Sequence, residues 1–145
     1  MAIKNRPEFE KFIRRVEKSS DEFRASSTEK RHSKQYRTAR ENLAHLVDDD
    51  SFLEFGQFAV AAQRSRRDYE ELQDKTNADG IITGFCSVNS ELVGAESSQA
   101  VAIVYDYSVL AGTQGAFHHL KLDRICDQAK KFQLPIAPKQ MYPEL

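Results

Sequence analysis

The sequence predicts an α/β fold, a ββα unit with a parallel crossover, led by an N-terminal helical section. Three observations predict it. Residues 7 to about 47 carry apolar side chains at helical spacing. Residues 81–88 and 100–105 are strand-like, and the second run is apolar throughout, as in a strand buried on both faces. An amphipathic stretch over 116–132 then leads to Leu134-Pro135-Ile136-Ala137, so a helix returns the chain to a further strand.

The elements follow in order. Phe9, Phe12, Ile13 and Val16 fall at i, i+3, i+4 and i+7, a stripe between charges. Ser19-Ser20-Asp21 reads as a break, with Phe23 restarting the pattern, and Ser26-Ser27-Thr28-Glu29 offers N-cap chemistry for another helix. Tyr36, Ala39, Leu43, Leu46 and Val47 make a second stripe. A section this polar is expected to pack as a hairpin against something else and to be weak alone. Asp48-Asp49-Asp50-Ser51 is a turn by composition, and residues 52–58, aromatic and partly alternating, a short strand. Residues 63–77 are charged, with Tyr69 and Leu72 the main apolar side chains, and read as a solvated loop or loose helix. Ala78-Asp79-Gly80 is a turn; after the strand over 81–88, Asn89-Ser90 reads as a hairpin-like turn and 91–95 as a returning strand. Residues 106–115 form a Gly-containing loop. On the helix over 116–132, Phe117, Leu120, Ile125 and Ala129 lie on one side, broadened by Leu122 and Cys126. Pro138 to Pro143 are expected to end the last strand. A lone ββα turn leaves sheet faces and edges uncovered, so the sequence reads as the opening of a larger α/β domain.

The chain has 145 residues, one domain's worth. No apolar run approaches the ~18 residues of a spanning helix, and the N-terminus lacks the apolar core of a signal peptide. Cys86 and Cys126 show no CxxC spacing, so neither a disulfide scaffold nor a cysteine zinc site is expected, and a reducing cytoplasm is the default. Charge is uneven: residues 1–40 hold 12 Lys/Arg against 6 Asp/Glu, although the whole chain carries −1. That basic section suggests an acidic partner or nucleic acid. Its cations alternate with Glu, however, and Phe9, Phe12, Phe23 and Tyr36 sit on the apolar stripes. The expectation is therefore no nucleic acid and no membrane partner.

Several residues invite chemistry. Adjacent His118 and His119 point ~100° apart on a helix and cannot share a metal, so no metal site is expected and His118 reads as a packing or capping residue. Asp106 reads as a loop-capping residue and Asp48-Asp49-Asp50 as a solvated turn lacking alternating ligands. Cys86 and Cys126 read as buried thiols. Gly112-Thr113-Gln114-Gly115 precedes a helix N-terminus, where amides and dipole favour an anion; the plainer reading is a turn that needs small residues. Lys121 and Arg124 read as a solvated face, with contact to a coenzyme phosphate as the sharper alternative.

Three segments, in order over residues 36–137, carry a resemblance. Thr38-Ala39-Arg40-Glu41-Asn42-Leu43, then Leu46-Val47-Asp48 and Ser51-Phe52-Leu53-Glu54, resemble TARERL…LLD.GSF.E. Ala78-Asp79-Gly80-Ile81-Ile82-Thr83-Gly84, with Val88 and Asn89, resembles DGVVTG…VNG. Tyr105 to Gly115, then His118, Lys121 and Arg124, resembles QDFTVLGGTLG..H..K..R, and Asp127-Gln128-Ala129 with Leu134-Pro135-Ile136 continues it. Together they resemble the N-terminal part of biotin-dependent acyl-CoA carboxyltransferases, the acetyl- and propionyl-CoA carboxylase family. Ala111 stands where the family usually has the first Gly of a pair, and residues 63–77 and 90–98 differ from common members.

The resemblance implies a crotonase-like (ClpP/crotonase) fold, with 1–47 the helical section and 48–145 an incomplete carboxyltransferase N-domain. It implies carboxyl transfer from carboxybiotin to an acyl-CoA, chemistry whose oxyanions are held by backbone N–H groups. The family's Gly-rich segments that supply those amides lie further along. The expectation is a fragment inactive alone, truncated, frameshifted or part of a split protein; the alternative is a non-catalytic docking module or remnant. The cofactor implied is biotin, as carboxybiotin on a carrier domain, with none bound by this chain alone. The partners implied are the acyl-CoA, the remaining carboxyltransferase segments, and biotin carboxylase and biotin carrier components, in an oligomer. No catalytic residue is assigned; Gly112, Thr113, Gln114, Gly115 and Lys121 are the acyl-CoA-side candidates.

Overall fold

The computed structural model describes residues 6–139; the expected strand end, from residue 140 on, lies outside the described residues. Three short helices lead. Pro7 opens α1 (Pro7–Glu17), with Glu8 and Glu10 in its first turn and Arg14 and Arg15 in its last, charges that suit the helix dipole. Helix α2 (Ala25–His32) is not capped by Ser26 to Glu29, as the sequence suggested; these residues lie inside it, behind an N-cap Arg24 that makes no side-chain cap. Phe23 stays in the preceding turn. The cap chemistry instead opens α3 (Ala39–Leu46): Thr38 Oγ1 accepts the Glu41 N–H at 3.0 Å, and a Glu41 carboxylate oxygen accepts the Thr38 N–H at 2.7 Å.

The sheet contains β1 (Leu53–Phe55), β2 (Ile81–Ser87), β3 (Gln99–Tyr105) and β4 (Ile136–Lys139), side by side in that order. β1–β2 and β2–β3 are antiparallel; β3–β4 is parallel, joined through α6 (Ala116–Phe132). Alternation along β2 and β3 serves two layers. Ile82, Cys86, Ala100, Ala102 and Val104 pack with Ala39 and Leu43 of α3. Ile81, Val101 and Ile103 pack with Ile125 and Ala129 of α6. A Cβ on Gly84 would stand 2.6 Å from the Phe52 ring, so only glycine admits this crossing beside β1.

Two expectations are corrected, and a third is decided between its alternatives. The returning strand over 91–95 is a single helical turn, α5 (Ser90–Val93), because the Asp48 carboxylate accepts the Asn89 N–H at 2.8 Å and the Ser90 N–H at 3.0 Å. Bonds from Ser90, Ser87 and Asn89 hold that carboxyl down to about 2. The buried face of α6 is His118, Ile125 and Ala129, while Phe117 and Leu120 are exposed. Of the solvated loop or loose helix expected over 63–77, the helix is observed, as α4 (Tyr69–Lys75), with Leu72 fully buried against Val60 and Ala61.

The helical section is fastened from a distance. The Arg24 guanidinium donates to Asp106 Oδ2 at 2.7 Å and to Ser108 Oγ at 2.6 Å, beyond the end of β3. Both charged side chains are only 10% exposed. Asp106 Oδ1 also accepts the Ser108 N–H at 3.0 Å, the loop-capping role expected of it. Helix α1 buries none of its residues; Phe9 and Phe12 remain about half exposed.

Candidate functional site

The turn before β2 is strained and buried. Ala78 (φ 54°), Asp79 (φ 49°) and Gly80 (φ 75°) are consecutive left-handed residues, and both side-chain-bearing ones are fully buried. This conformation aims the Asp79 carboxylate at the start of α6. Its Oδ2 accepts the His118 N–H at 2.8 Å, a carboxylate at a helix N-terminus. A Cβ on Gly115 would lie 2.7 Å from that oxygen, so the position before α6 admits the carboxylate only as glycine.

Two side chains of α6 return to the same turn. His118 is buried, with Nδ1 3.1 Å from the Asp79 carbonyl oxygen, the geometry of an N–H donor. Its Nε2 is buried without a partner among the described residues, as is Asp79 Oδ1. Burial pulls the imidazole below its ordinary pKa, despite the favourable Asp79 carbonyl, so it is neutral at pH 7. One turn on, the Lys121 ammonium donates to the carbonyls of Ala78, at 2.8 Å, and Ile81. Its stem runs over Gly56, where a Cβ would touch it at 2.9 Å. Burial pushes this lysine down to about 8. Lys121 is therefore no member of a solvated face, as the alternating charges suggested, whereas Arg124 is exposed.

Of the acyl-CoA-side candidates, Gly115 and Lys121 meet at this turn with Asp79 and His118. Gly112, Thr113 and Gln114 lie on an exposed loop. The Thr113 hydroxyl donates to the Leu110 carbonyl at 2.7 Å, and Gly112 (φ 80°) lies close to the Tyr107 ring. Ala111 takes a left-handed φ of 54°, a conformation in which an alanine costs about 1 kcal/mol that glycine would not.

Sequence reasoning missed Asp79 as a site residue; its signal was an Ala-Asp-Gly turn set against a small-residue helix start. It also missed a cleft of about 550 Å³ beside Phe117, walled by Phe58 and Tyr69, floored by Val60 and Ala61, and rimmed by Arg64 and Ser65. Thr76 pins that floor, accepting the Ala61 N–H at 3.0 Å while its hydroxyl donates to the Leu72 carbonyl at 2.6 Å.

No family model matches the chain. Over 109 residues it is 31% identical to methylmalonyl-CoA decarboxylase subunit alpha of Veillonella parvula, covering 75% of this chain and 19% of that relative. Over 105 residues it is 32% identical to the acetyl-coenzyme A carboxylase carboxyl transferase subunit beta of Prochlorococcus marinus, covering 66% of this chain and 33% of that one. A single-chain, multi-domain long-chain acyl-CoA carboxylase superposes with a TM-score of 0.90 at 42% identity, over 97% of this chain and 14% of that one. The chain belongs to the acyl-CoA carboxyltransferase family. The carboxyltransferase segment also superposes on transcarboxylase 12S, described as a hexamer assembly, with a TM-score of 0.69 at 25% identity, over 95% of this chain and 26% of that one. The crotonase-like fold expected from the motifs is the fold observed. This carboxyltransferase segment spans about a fifth of the first curated relatives it matches. Among its described residues, no helix is long and apolar enough to cross a membrane.

Proposed function

We propose that the chain supplies the acyl-CoA-side segment of a carboxyltransferase that moves a carboxyl group from carboxybiotin to an acyl-CoA, and that further carboxyltransferase segments complete the site. The observation that carries this reading is the match to the long-chain acyl-CoA carboxylase across 97% of this chain but 14% of that one. Physical chemistry points the same way. Leu53 and Phe55 on one edge strand and Ile136 on the other are each at least one-third exposed, surface that further strands and helices would cover.

Within this reading, Gly112 to Gly115 form the loop that faces the thioester side, and Asp79, His118 and Lys121 hold it rigid from beneath. The α6 amide at His118 already serves Asp79, so the chain's own carboxylate, not a ligand, takes the anion position there. Carboxybiotin, when present, supplies the carboxyl group. The oxyanion donors the reaction needs are expected outside this segment. The carrier, the biotin carboxylase component and the remaining carboxyltransferase segments are the partners this reading requires. The exposed apolar stripe of α1 supports a docking role for the helical section. Two free thiols, Cys86 buried and Cys126 half-buried, suit a reducing cytoplasm.

The test is a chimera. Residues 6–139 replace the matching segment of the long-chain acyl-CoA carboxylase, and carboxyl transfer is measured beside the isolated chain. Transfer by the chimera with none from a monodisperse isolated chain is the expected result. A chimera that assembles like the parent yet transfers nothing would overturn the assignment. Turnover by the isolated chain would overturn the need for completion.

A further inference from the structure

Two left-handed turns stand against each other. Ala78, Asp79 and Gly80 form the first; Leu110 (φ 47°), Ala111 (φ 54°) and Gly112 (φ 80°) form the second. Four of these six residues carry a side chain, and such residues keep that conformation only where their surroundings enforce it. The turns support one another in part. The Asp106 N–H donates to the Gly80 carbonyl at 2.9 Å. Backbone bonds from Val109 to the Asp106 carbonyl, at 3.1 Å, and from Gly112 to the Val109 carbonyl, at 3.0 Å, carry that support up to the 112–115 loop. Val109 is the fully buried plug between the turns: a Cβ on Gly80 would stand 3.4 Å from its side chain. The outer side, from Leu110 to Gln114, is exposed.

Both turns are tied to one short stretch, the connector over 18–24 between α1 and α2. Asn77, buried beside Ala78, donates from its side-chain amide to the Lys18 carbonyl at 2.7 Å and accepts from Arg15 at 3.4 Å. Arg24 closes the other side with its two bonds to Asp106 and Ser108. A forked guanidinium on two acceptors fixes direction as well as distance. The connector is itself held: the Asp21 carboxylate accepts the hydroxyl of Thr38, the cap of α3, and the Asp21 carbonyl accepts the Thr28 hydroxyl at 3.1 Å. We infer that Arg24 and Asn77 are positioning residues for the thioester-side loop, and that the connector is a strap across the two strained turns. The helical section is then part of the support of the site, whatever docks on its outer face. This assignment rests on the acyl-CoA reading above, which gives the 112–115 loop its work, and adds the residues that set the loop's shape.

The test has two arms. In the full chain, backbone amide shifts are compared among the parent, Arg24→Ala, Arg24→Lys and Asn77→Ala. The expected result is movement of the amides over 110–115 in both alanine variants, although neither side chain touches those residues. In the chimera described above, the same variants are assayed for carboxyl transfer with palmitoyl-CoA and free carboxybiotin. Arg24→Ala and Asn77→Ala should raise the KM for palmitoyl-CoA roughly tenfold and leave the KM for carboxybiotin at the parent value. Arg24→Lys, which keeps the charge but not the fork, should recover part of the loss. A merely destabilised protein would instead lose kcat as its folded fraction falls, with both KM values unchanged. Amides over 110–115 that stay still in folded Asn77→Ala and Arg24→Ala overturn the strap, as does a parental KM for palmitoyl-CoA in both. Should Arg24→Ala fail to fold, Asn77→Ala and Arg24→Lys carry the same readouts. A parent chimera that assembles yet transfers nothing overturns the carboxyltransferase reading alone, and the amide shifts then decide the strap.

Discussion

Replacing Lys121 with Met removes the buried ammonium and keeps a stem of similar length over Gly56. The lysine falls from an ordinary 10.5 to about 8 in the fold, chiefly through burial. A folded-state value below the unfolded one means the unfolded chain binds the proton more tightly. Below about 8 both states are charged, and the folded state bears the cost of a desolvated ammonium. Between about 8 and 10.5 the folded lysine releases its proton first, so stability rises with pH across that window. At about 1.4 kcal/mol for each pH unit, the full rise is roughly 3 kcal/mol. Lys121→Met carries no such proton. Burial also raises the Cys86 thiol, which acts in the opposite sense at alkaline pH, but both proteins carry it and it cancels on subtraction. Urea unfolding from pH 7 to 10.5 gives the two profiles. The difference, wild type minus variant, should climb by roughly 2 to 3 kcal/mol. A difference flat to within about 0.5 kcal/mol would refute the reasoning, since it would mean that Lys121 is solvated in the folded chain.

Arg24→Ala leaves Asp106 buried without its cation; the expected loss is about 2 to 3 kcal/mol, at the low end for a broken buried pair because Ser108 still donates to the carboxylate, and an unchanged urea midpoint would count against it. Gly115→Ala drives a methyl against Asp79 and should cost about 2 kcal/mol, less in an Asp79→Ala background; additive losses in paired thermal melts would show that the two do not meet. His118 has a folded pKa below its unfolded 6.5, so it costs stability as pH falls through 6.5, and the acid-side slope should be shallower in His118→Leu; equal slopes between pH 7 and 5 would contradict its burial.

Much of the fold was legible in the sequence because the signals were local. Helix α6 occupies the span its periodicity predicted, and the apolar run over 100–105 is the buried strand β3. The failures share a cause: partners distant in sequence. Leu92 and Val93 are good strand formers, yet the Asp48 carboxylate, some forty positions away, captures the amides that open a helical turn there. Lys121 sits in a charged stretch, but its hydrogen-bonding partners are carbonyls of a left-handed turn that no window around Lys121 contains. The Thr38–Glu41 spacing did carry a readable capping signal, whereas Ser26 to Glu29 offered side chains of the right type without the backbone to use them. The motifs singled out Gly115 and Lys121, which the structure brings to the Asp79 turn, but gave no sign of the aromatic cleft, whose walls come from residues 58, 69 and 117.

The clasp between Arg24 and Asp106 bears on how the chain is made. The residues that join are 82 positions apart, and the Asp106 side arrives second during synthesis. At roughly 5 to 20 residues per second, the leading helices wait on the order of 4 to 16 s for their anchor to be translated. Throughout that interval Phe9, Phe12 and Phe23 face solvent or the ribosome surface, and α1 alone has no buried residue to hold it. The leading helices therefore stay without this anchor until Asp106 and Ser108 have been translated and have emerged from the ribosome, and a pause in translation anywhere before that point lengthens the interval.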